Sequence, residues 1–200
     1  MKNMFLSQSH AADPCAAPKN CHRRLSVRDL VYCALMADVI AACAWITVPA
    51  VIPFTMQSFA IFLTLYLLGG RRGTLSTAIY VFLGAVGVPV FSGFRGGAAV
   101  LLGPTGGYIW GFILLACVYW LLEKKLGVSK GGKLFLMALC QLLCYGCGTL
   151  WFYLTCGGSR GFGAILAVCV IPFIIPDLLK LILAFGLSLR LTHCFGLIRE

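Results

Sequence analysis

The chain has 200 residues, 60% hydrophobic and 11% charged, with mean hydropathy +0.95 and a formal net charge of +10. A soluble domain would carry charge on about 25% of its residues, so this composition excludes a water-soluble fold and predicts an integral membrane protein. At roughly 20 residues per membrane helix plus short loops, the length allows about six spans in one bundle and leaves no room for a soluble catalytic domain.

Residues 1–24 hold Lys19, Arg23, Arg24, Asp13 and two prolines, and Met1 to Leu6 is too short for the apolar core of a cleaved signal. They read as a polar N-terminal tail, with residues 25–200 forming the membrane domain. Apolar runs bounded by charge or by Gly/Pro clusters predict spans near 28–48, 56–70, 74–89, 106–122, 133–155 and 176–192. The expected fold class is therefore all-α, a polytopic bundle of six transmembrane helices with both termini inside.

In the first span Ala34, Ala37, Ala41 and Ala44 recur at three- and four-residue steps, a stripe that lets another helix approach closely. Packing within the chain accounts for it as well as docking of a partner does. Asp38 adjoins the stripe; a lone intramembrane carboxylate suggests a proton or cation site, or a protonated, hydrogen-bonded group.

Between the third and fourth spans runs PVFSGFRGGAAVLLGPTGGY, Pro89 to Tyr108, with glycines at 93, 96, 97, 103, 106 and 107 and Arg95 as its only charge. Such backbone turns sharply and approaches a ligand closely, and at membrane depth it survives only where protein buries it or a cavity borders it. A flexible outer loop with Arg95 in water is the plain alternative. Without a Gly-Lys-Ser/Thr ending the loop does not read as a nucleotide site.

Cys140, Cys144 and Cys147 share a helical face, and the last two spell CxxC. No second ligand pair at metal-binding spacing accompanies them, so they read as small apolar packing residues and no metal is assigned. His10, His22 and His193 lie near the two ends of the chain, and no GxSxG or HExxH string occurs, so the chain does not read as an enzyme.

The stretch 156–175 is apolar, but it opens with Gly157, Gly158, Gly161 and Gly163 and contains Pro172. It reads as a partly inserted cap, with the last span starting at Pro176, where a missing N–H costs nothing, and with Asp177 at the positive helix end. Lys180 follows three residues later in an apolar run. Charges there cost about 2.5 to more than 10 kcal/mol and usually face a partner, a ligand or a wet cavity. The i, i+3 spacing puts both side chains on one face, fitted to a mutual ion pair or to a small polar ligand bridging them.

With the N-terminus inside, thirteen of the sixteen Lys and Arg residues fall on one side and only Arg95 and Arg160 on the other, with Lys180 within a span. The positive charge is then topology and attraction to acidic lipid, and nucleic acid is not needed to explain it. The glycine-rich loop and the start of the last span come to lie together on the outer face, where an arriving solute would meet Asp177, Lys180 and the loop at once.

The strings IPFTMQ (Ile52–Gln57), GRRGTLS (Gly70–Ser76), GAVGVPVFSG (Gly84–Gly93), LLGPTGGY (Leu101–Tyr108) and IPDLLK (Ile175–Lys180) resemble those of the substrate-binding S component of the energy-coupling factor type biotin transporter. The likeness runs in order from about Val27 to Leu191. It implies a six-helix protein of the cytoplasmic membrane that binds biotin from outside and delivers it inward, with a transmembrane coupling protein and two ATPase subunits as partners and no cofactor of its own. It also implies that Asp177 and Lys180 contact the ureido ring, that Arg95 takes the valerate carboxylate, and that Tyr108 and Gln57 belong to the pocket wall. Ala34, Ala37 and Ala41 would form the coupling surface. Two positions depart from the family pattern: Asp38 interrupts a surface that is usually small and apolar, and Phe94 stands where the loop usually has a small residue. Rival readings are a self-sufficient ion-coupled transporter, for which Asp38 speaks, and a membrane scaffold whose polar pair is structural.

Overall fold

A computed structural model describes residues 26–49, 54–126, 129–156 and 162–194. The expected tail, the glycines at 157, 158 and 161, and Arg160 lie outside these residues. The described chain is helical except for a two-stranded ribbon and the connection ahead of Gly106.

Helix α1 (Val27–Trp45) starts at Ser26, whose backbone N–H donates to the Asp29 carboxylate at 3.1 Å. This closes the first turn by the capping-box logic. Its inner face is Cys33, Ala37, Ile40, Ala41 and Ala44, all buried. Strands β1 (Thr47–Val48) and β2 (Phe54–Thr55) then pair antiparallel, Thr47 opposite Thr55, and carry the chain into α2 (Gln57–Val86).

Helix α2 is a hairpin in a single helical run. Gly69 sits at φ 76°, ψ 170°, in a region where only glycine is at ease, and the chain reverses there. A Cβ on Gly73 would stand 3.0 Å from Leu65 Cα, whereas a straight helix holds residues eight apart about 12 Å from each other. The spans expected at 56–70 and 74–89 are the two limbs, and the turn falls at Gly69 rather than among Arg71 to Gly73. Glu123 secures it by accepting from the Gly70 N–H at 2.7 Å, while Lys133 pairs with the same carboxylate. Arg72 pairs with Asp29 at 2.8 Å, so the start of α1, the turn of α2, the end of α4 and the start of α5 are joined at one end of the bundle.

Gly87 at φ 112° terminates α2, and the glycine-rich connection runs through the short α3 (Ala98–Leu102) into α4 (Gly106–Leu126). Phe94 adopts a left-handed φ of 55°, a conformation costing about 1–2 kcal/mol outside glycine. Stacking of its ring on Trp45 at 4.9 Å offsets that strain, and Trp45 Nε1 donates to Pro89 O at 2.9 Å. The departure at Phe94 thereby ties the loop to the end of α1.

Helix α4 lies against α5 (Lys130–Cys156) so closely that a Cβ on Gly107 would meet Trp151 Cβ at 2.2 Å. Cys140 and Cys144 are buried on the inner face of α5 as apolar packing residues. The short α6 (Phe162–Cys169) follows, then α7 (Ile171–Cys194). Here the expectation for 156–175 needs correction: the last helix begins at Ile171, and Pro176 lies inside it. Pro172 takes the first turn, where no N–H is missed, and Pro176 forfeits one bond near a helix end, a loss that packing tolerates. Gly106–Leu126, Gly131–Cys156 and the run Ile165–Thr192 are long and apolar enough to cross a membrane.

A methyl group at Gly70 would stand 2.5 Å from Trp120 Cα, which is backbone and has no retreat, whereas one at Gly146 meets nothing within 4 Å. Gly70→Ala is expected to lower stability by about 1–3 kcal/mol. Gly146→Ala should leave it unchanged or raise it by up to about 1 kcal/mol. Thermal unfolding in detergent, followed by tryptophan fluorescence, compares the two; equal midpoints would mean that α2 does not turn against Trp120.

Candidate functional site

The apolar face of α7 brings Asp177 and Lys180 into the interior, where they are 7% and 5% exposed. They form an ion pair, Nζ to Oδ1, at 2.8 Å. Burial of both charges is affordable only if the remaining lone pairs and protons are also satisfied, and they are. Lys180 Nζ donates to Thr55 O at 2.7 Å and reaches Ser58 Oγ at 3.2 Å, with its ammonium 3.9 Å above the Phe54 ring. Asp177 Oδ1 also accepts from Ser58 Oγ at 3.2 Å. Its Oδ2 accepts from Tyr145 O–H at 2.6 Å and from Gln141 Nε2 at 3.1 Å. One pair of charges thus ties α7 to the β2 strand, the start of α2 and the middle of α5.

A cavity opens beside this network. Gln57, Tyr108, Asp177 and Lys180 line it together, joined by Ser58, Gln141, Tyr145 and Phe173. The rest of its wall adds Thr55, Ser92 and Thr105 to the apolar Phe91, Ile109, Phe112 and Cys169. Tyr108 O–H donates to Cys169 O at 3.3 Å, holding the first turn of α4 against the end of α6. The cavity combines an apolar chamber with a few converging polar groups, the pattern of a small-molecule site.

Arg95 is placed differently from Asp177 and Lys180. It is exposed and outside the cavity lining, and its Nε donates to Ser92 O at 3.2 Å. Ser92 does line the cavity, so Arg95 stands at its rim and not within it.

The proposed coupling stripe needs correction. Ala37 and Ala41 are 1% and 7% exposed and belong to the internal core against α2, so no partner reaches them. Ala34 is exposed, with Asp38 and Ala42 at four-residue steps on the same outer face. At 3.6 residues per turn the four alanines span an arc of only about 80°, one helix face, and the core takes that face up to its edge at Ala34.

Sequence reasoning passed over Ser58, Gln141 and Tyr145. Gln141 and Tyr145 had a signal, two hydrogen-bonding residues at i, i+4 in an otherwise apolar helix. The Thr55 carbonyl had none, because any residue there would supply it.

Residues 17–196 match the model of a family described as the BioY family. The biotin transporter BioY of Thermotoga maritima is 41% identical over 167 residues, covering 82% of this chain and 96% of that protein. A probable biotin transporter BioY from Pyrococcus horikoshii is 38% identical over 141 residues, 70% of this chain and 80% of its own length. Among solved structures, the S component for biotin from an ECF-type ABC transporter superposes with a TM-score of 0.76 at 27% identity, over 84% of this chain and 92% of that one.

Removing one charge should expose how far the pair depends on mutual neutralisation. Lys180→Met strands a buried carboxylate and is expected to cost about 3–5 kcal/mol, and adding Asp177→Asn should restore much of it. Chemical unfolding in micelles measures both; a double variant no more stable than Lys180→Met would deny that the two charges compensate each other.

Proposed function

The chain belongs to the BioY family, and on that premise we propose that it captures biotin from outside the cytoplasmic membrane and delivers it inward, without covalent chemistry of its own. The observation that carries this reading is the buried Asp177–Lys180 pair bordering a cavity that also gathers Gln57, Tyr108 and Gln141.

Six spans suit the architecture: α1, the two limbs of α2, α4, α5 and α7. An even number returns both termini to one face. Arg28, Arg71, Arg72, Lys124, Lys125 and Lys133 belong to helix ends that the Asp29–Arg72 and Glu123–Lys133 pairs draw together. By the positive-inside rule that face is cytoplasmic. The cavity, built from the start of α2, the first turns of α4 and the early turns of α7, then opens outward.

Biotin offers a ureido group with two N–H donors and a carbonyl, an apolar bicycle and a carboxylate tail. The polar wall at Asp177 and Lys180 suits the ureido head, and Phe91, Phe112 and Phe173 suit the bicycle. The carboxylate would extend to the rim, where Arg95 is exposed and brings the cation of the outer loop. A hydrogen bond to a charged group contributes about 1.5–3 kcal/mol, enough to favour biotin over a plain hydrocarbon acid.

The chain contains no nucleotide-binding string, so ATP-driven uptake would draw on a transmembrane coupling protein and two ATPase subunits. Those partners accord with the solved S component from an ECF-type ABC transporter. A self-sufficient, ion-coupled mode has less support: Asp38, its only candidate, is exposed on the outer face of α1 and is not among the residues lining the cavity.

Asp177→Ala and Lys180→Ala are expected to abolish retention of radiolabelled biotin by the purified protein while leaving membrane insertion intact. Retention at the wild-type level by the double variant would refute the site. Arg95→Ala should weaken biotin far more than the uncharged biotin amide, by about tenfold or more for a lost ionic hydrogen bond; equal losses for the two ligands would take Arg95 out of the carboxylate role.

A further inference from the structure

A second, open cleft of about 370 Å³ lies at the other end of the bundle. The start of α1, the turn of α2 and the last turns of α4 line it, with Arg71, Arg72, Lys124, Asp29 and Glu123 as its charged groups and Trp120 as its aromatic one. Both carboxylates are already compensated. Asp29 pairs with Arg72 at 2.8 Å, and Glu123 accepts from the Gly70 N–H at 2.7 Å and pairs with Lys133, which lies outside the lining. Three lining cations, together with Lys133, stand against two carboxylates, so the cleft holds a surplus of positive charge, and Arg71 and Lys124 are exposed at its walls.

The surroundings decide which form of anion gains most there. Helix α4 has 21 residues, about 31 Å at 1.5 Å per residue, which matches the hydrocarbon core of a bilayer and brings its last turn to the headgroup level. Trp120 is half-buried near that end, and an indole at this depth keeps its apolar body toward lipid and its polar edge toward the headgroups. Leu30, next to Asp29 on α1, and Leu121, next to Trp120 on α4, are exposed. A molecule carrying both a phosphate and acyl chains meets cations and apolar surface together, whereas a soluble anion gains from the cations alone. Arginine can hold a phosphate by two parallel hydrogen bonds, and basic pockets between membrane helices suit lipid headgroups.

We propose that this cleft binds the phosphate of an acidic phospholipid, with Arg71 and Lys124 as the ligand-binding cations and Trp120 against the glycerol and the upper part of the chains. The Asp29–Arg72 and Glu123–Lys133 pairs act as positioning contacts that hold the three helix ends around the headgroup. A lipid seated there bridges the turn of α2 and the end of α4. The site is separate from the cavity beside Asp177 and Lys180 and does not depend on what that cavity binds.

The test uses the full-length protein in mixed micelles of neutral detergent and phosphatidylglycerol with brominated acyl chains, which quench nearby indoles. The quenching present in wild type and missing from Trp120→Phe reports on this cleft. It should saturate at a low fraction of brominated phosphatidylglycerol and stay weak with brominated phosphatidylcholine, whose headgroup has no net charge. Arg71→Gln and Lys124→Gln should each raise the lipid fraction at half-saturation about fivefold, the loss expected for one cation at a charged headgroup. Both side chains are exposed, so their replacement is not expected to unfold the chain, and Arg71→Lys, which keeps the charge, should lose less than Arg71→Gln. Lys125→Gln, adjacent in sequence but outside the lining, should match wild type. Equal quenching by the two lipids, or an equal loss in Lys125→Gln, would mean a diffuse basic surface and overturn the site. Displacement of the brominated lipid by inorganic phosphate at matched concentration would put a soluble anion in the cleft and overturn the lipid assignment.

Discussion

The burial of Asp177 against Lys180 is the constraint on which the cavity end of the bundle depends. Each charge alone would carry a desolvation cost of several kcal/mol, and their mutual attraction offsets it only with further hydrogen bonds in place. Those bonds come from Thr55, Ser58, Gln141 and Tyr145, on three different elements. Satisfying two side chains on α7 therefore fixes the register of α7 against α5 and locates the first turn of α2, so the polar wall of the cavity and the packing around it have one cause.

The opposite end solves a different problem. There the chain reverses at Gly69 and presents arginines and lysines, and the turn would expose backbone donors without a partner. Glu123 accepts from Gly70 N–H and pairs with Lys133, while Asp29 caps α1 and pairs with Arg72. These ion pairs are partly exposed, where single pairs contribute little to stability, and their effect is to join helix ends. The two ends thus differ in kind: one gathers cations near water, the other buries a neutralised pair beside an apolar chamber.

What could be read from the sequence follows from this difference. Charges inside apolar runs are visible without coordinates, because hydrophobic context makes them costly, and so Asp177 and Lys180 stood out from the residues alone, whereas Gln57 and Tyr108 came only through the family resemblance. Gln141 and Tyr145 carried the same signal more faintly, as neutral groups four residues apart. Pro176 misled, because the local rule against proline inside helices gives way where only one bond near a terminus is lost. The alanines at 34, 37 and 41 showed close approach but not from which side, since that depends on how α1 rolls against α2. The path of Arg95 depends on left-handed backbone at Gly93, Phe94 and Gly97, and nothing in the residue order fixes where such a loop delivers a side chain.

On the proposed biotin reading, a site built this way would recognise by difference in charge state. Because Asp177 and Lys180 cancel, the inner wall presents no net charge, and a neutral head group enters without placing an uncompensated ion at depth. A carboxylate pushed to the same depth would meet a lysine whose donors are already engaged and an aspartate that repels it, so an anionic tail gains by staying outward, where Arg95 is exposed at the rim. Neutral head inward and charged tail outward is then the orientation of lowest cost, and it follows from the pairing on α7 before any contact to a ligand is counted.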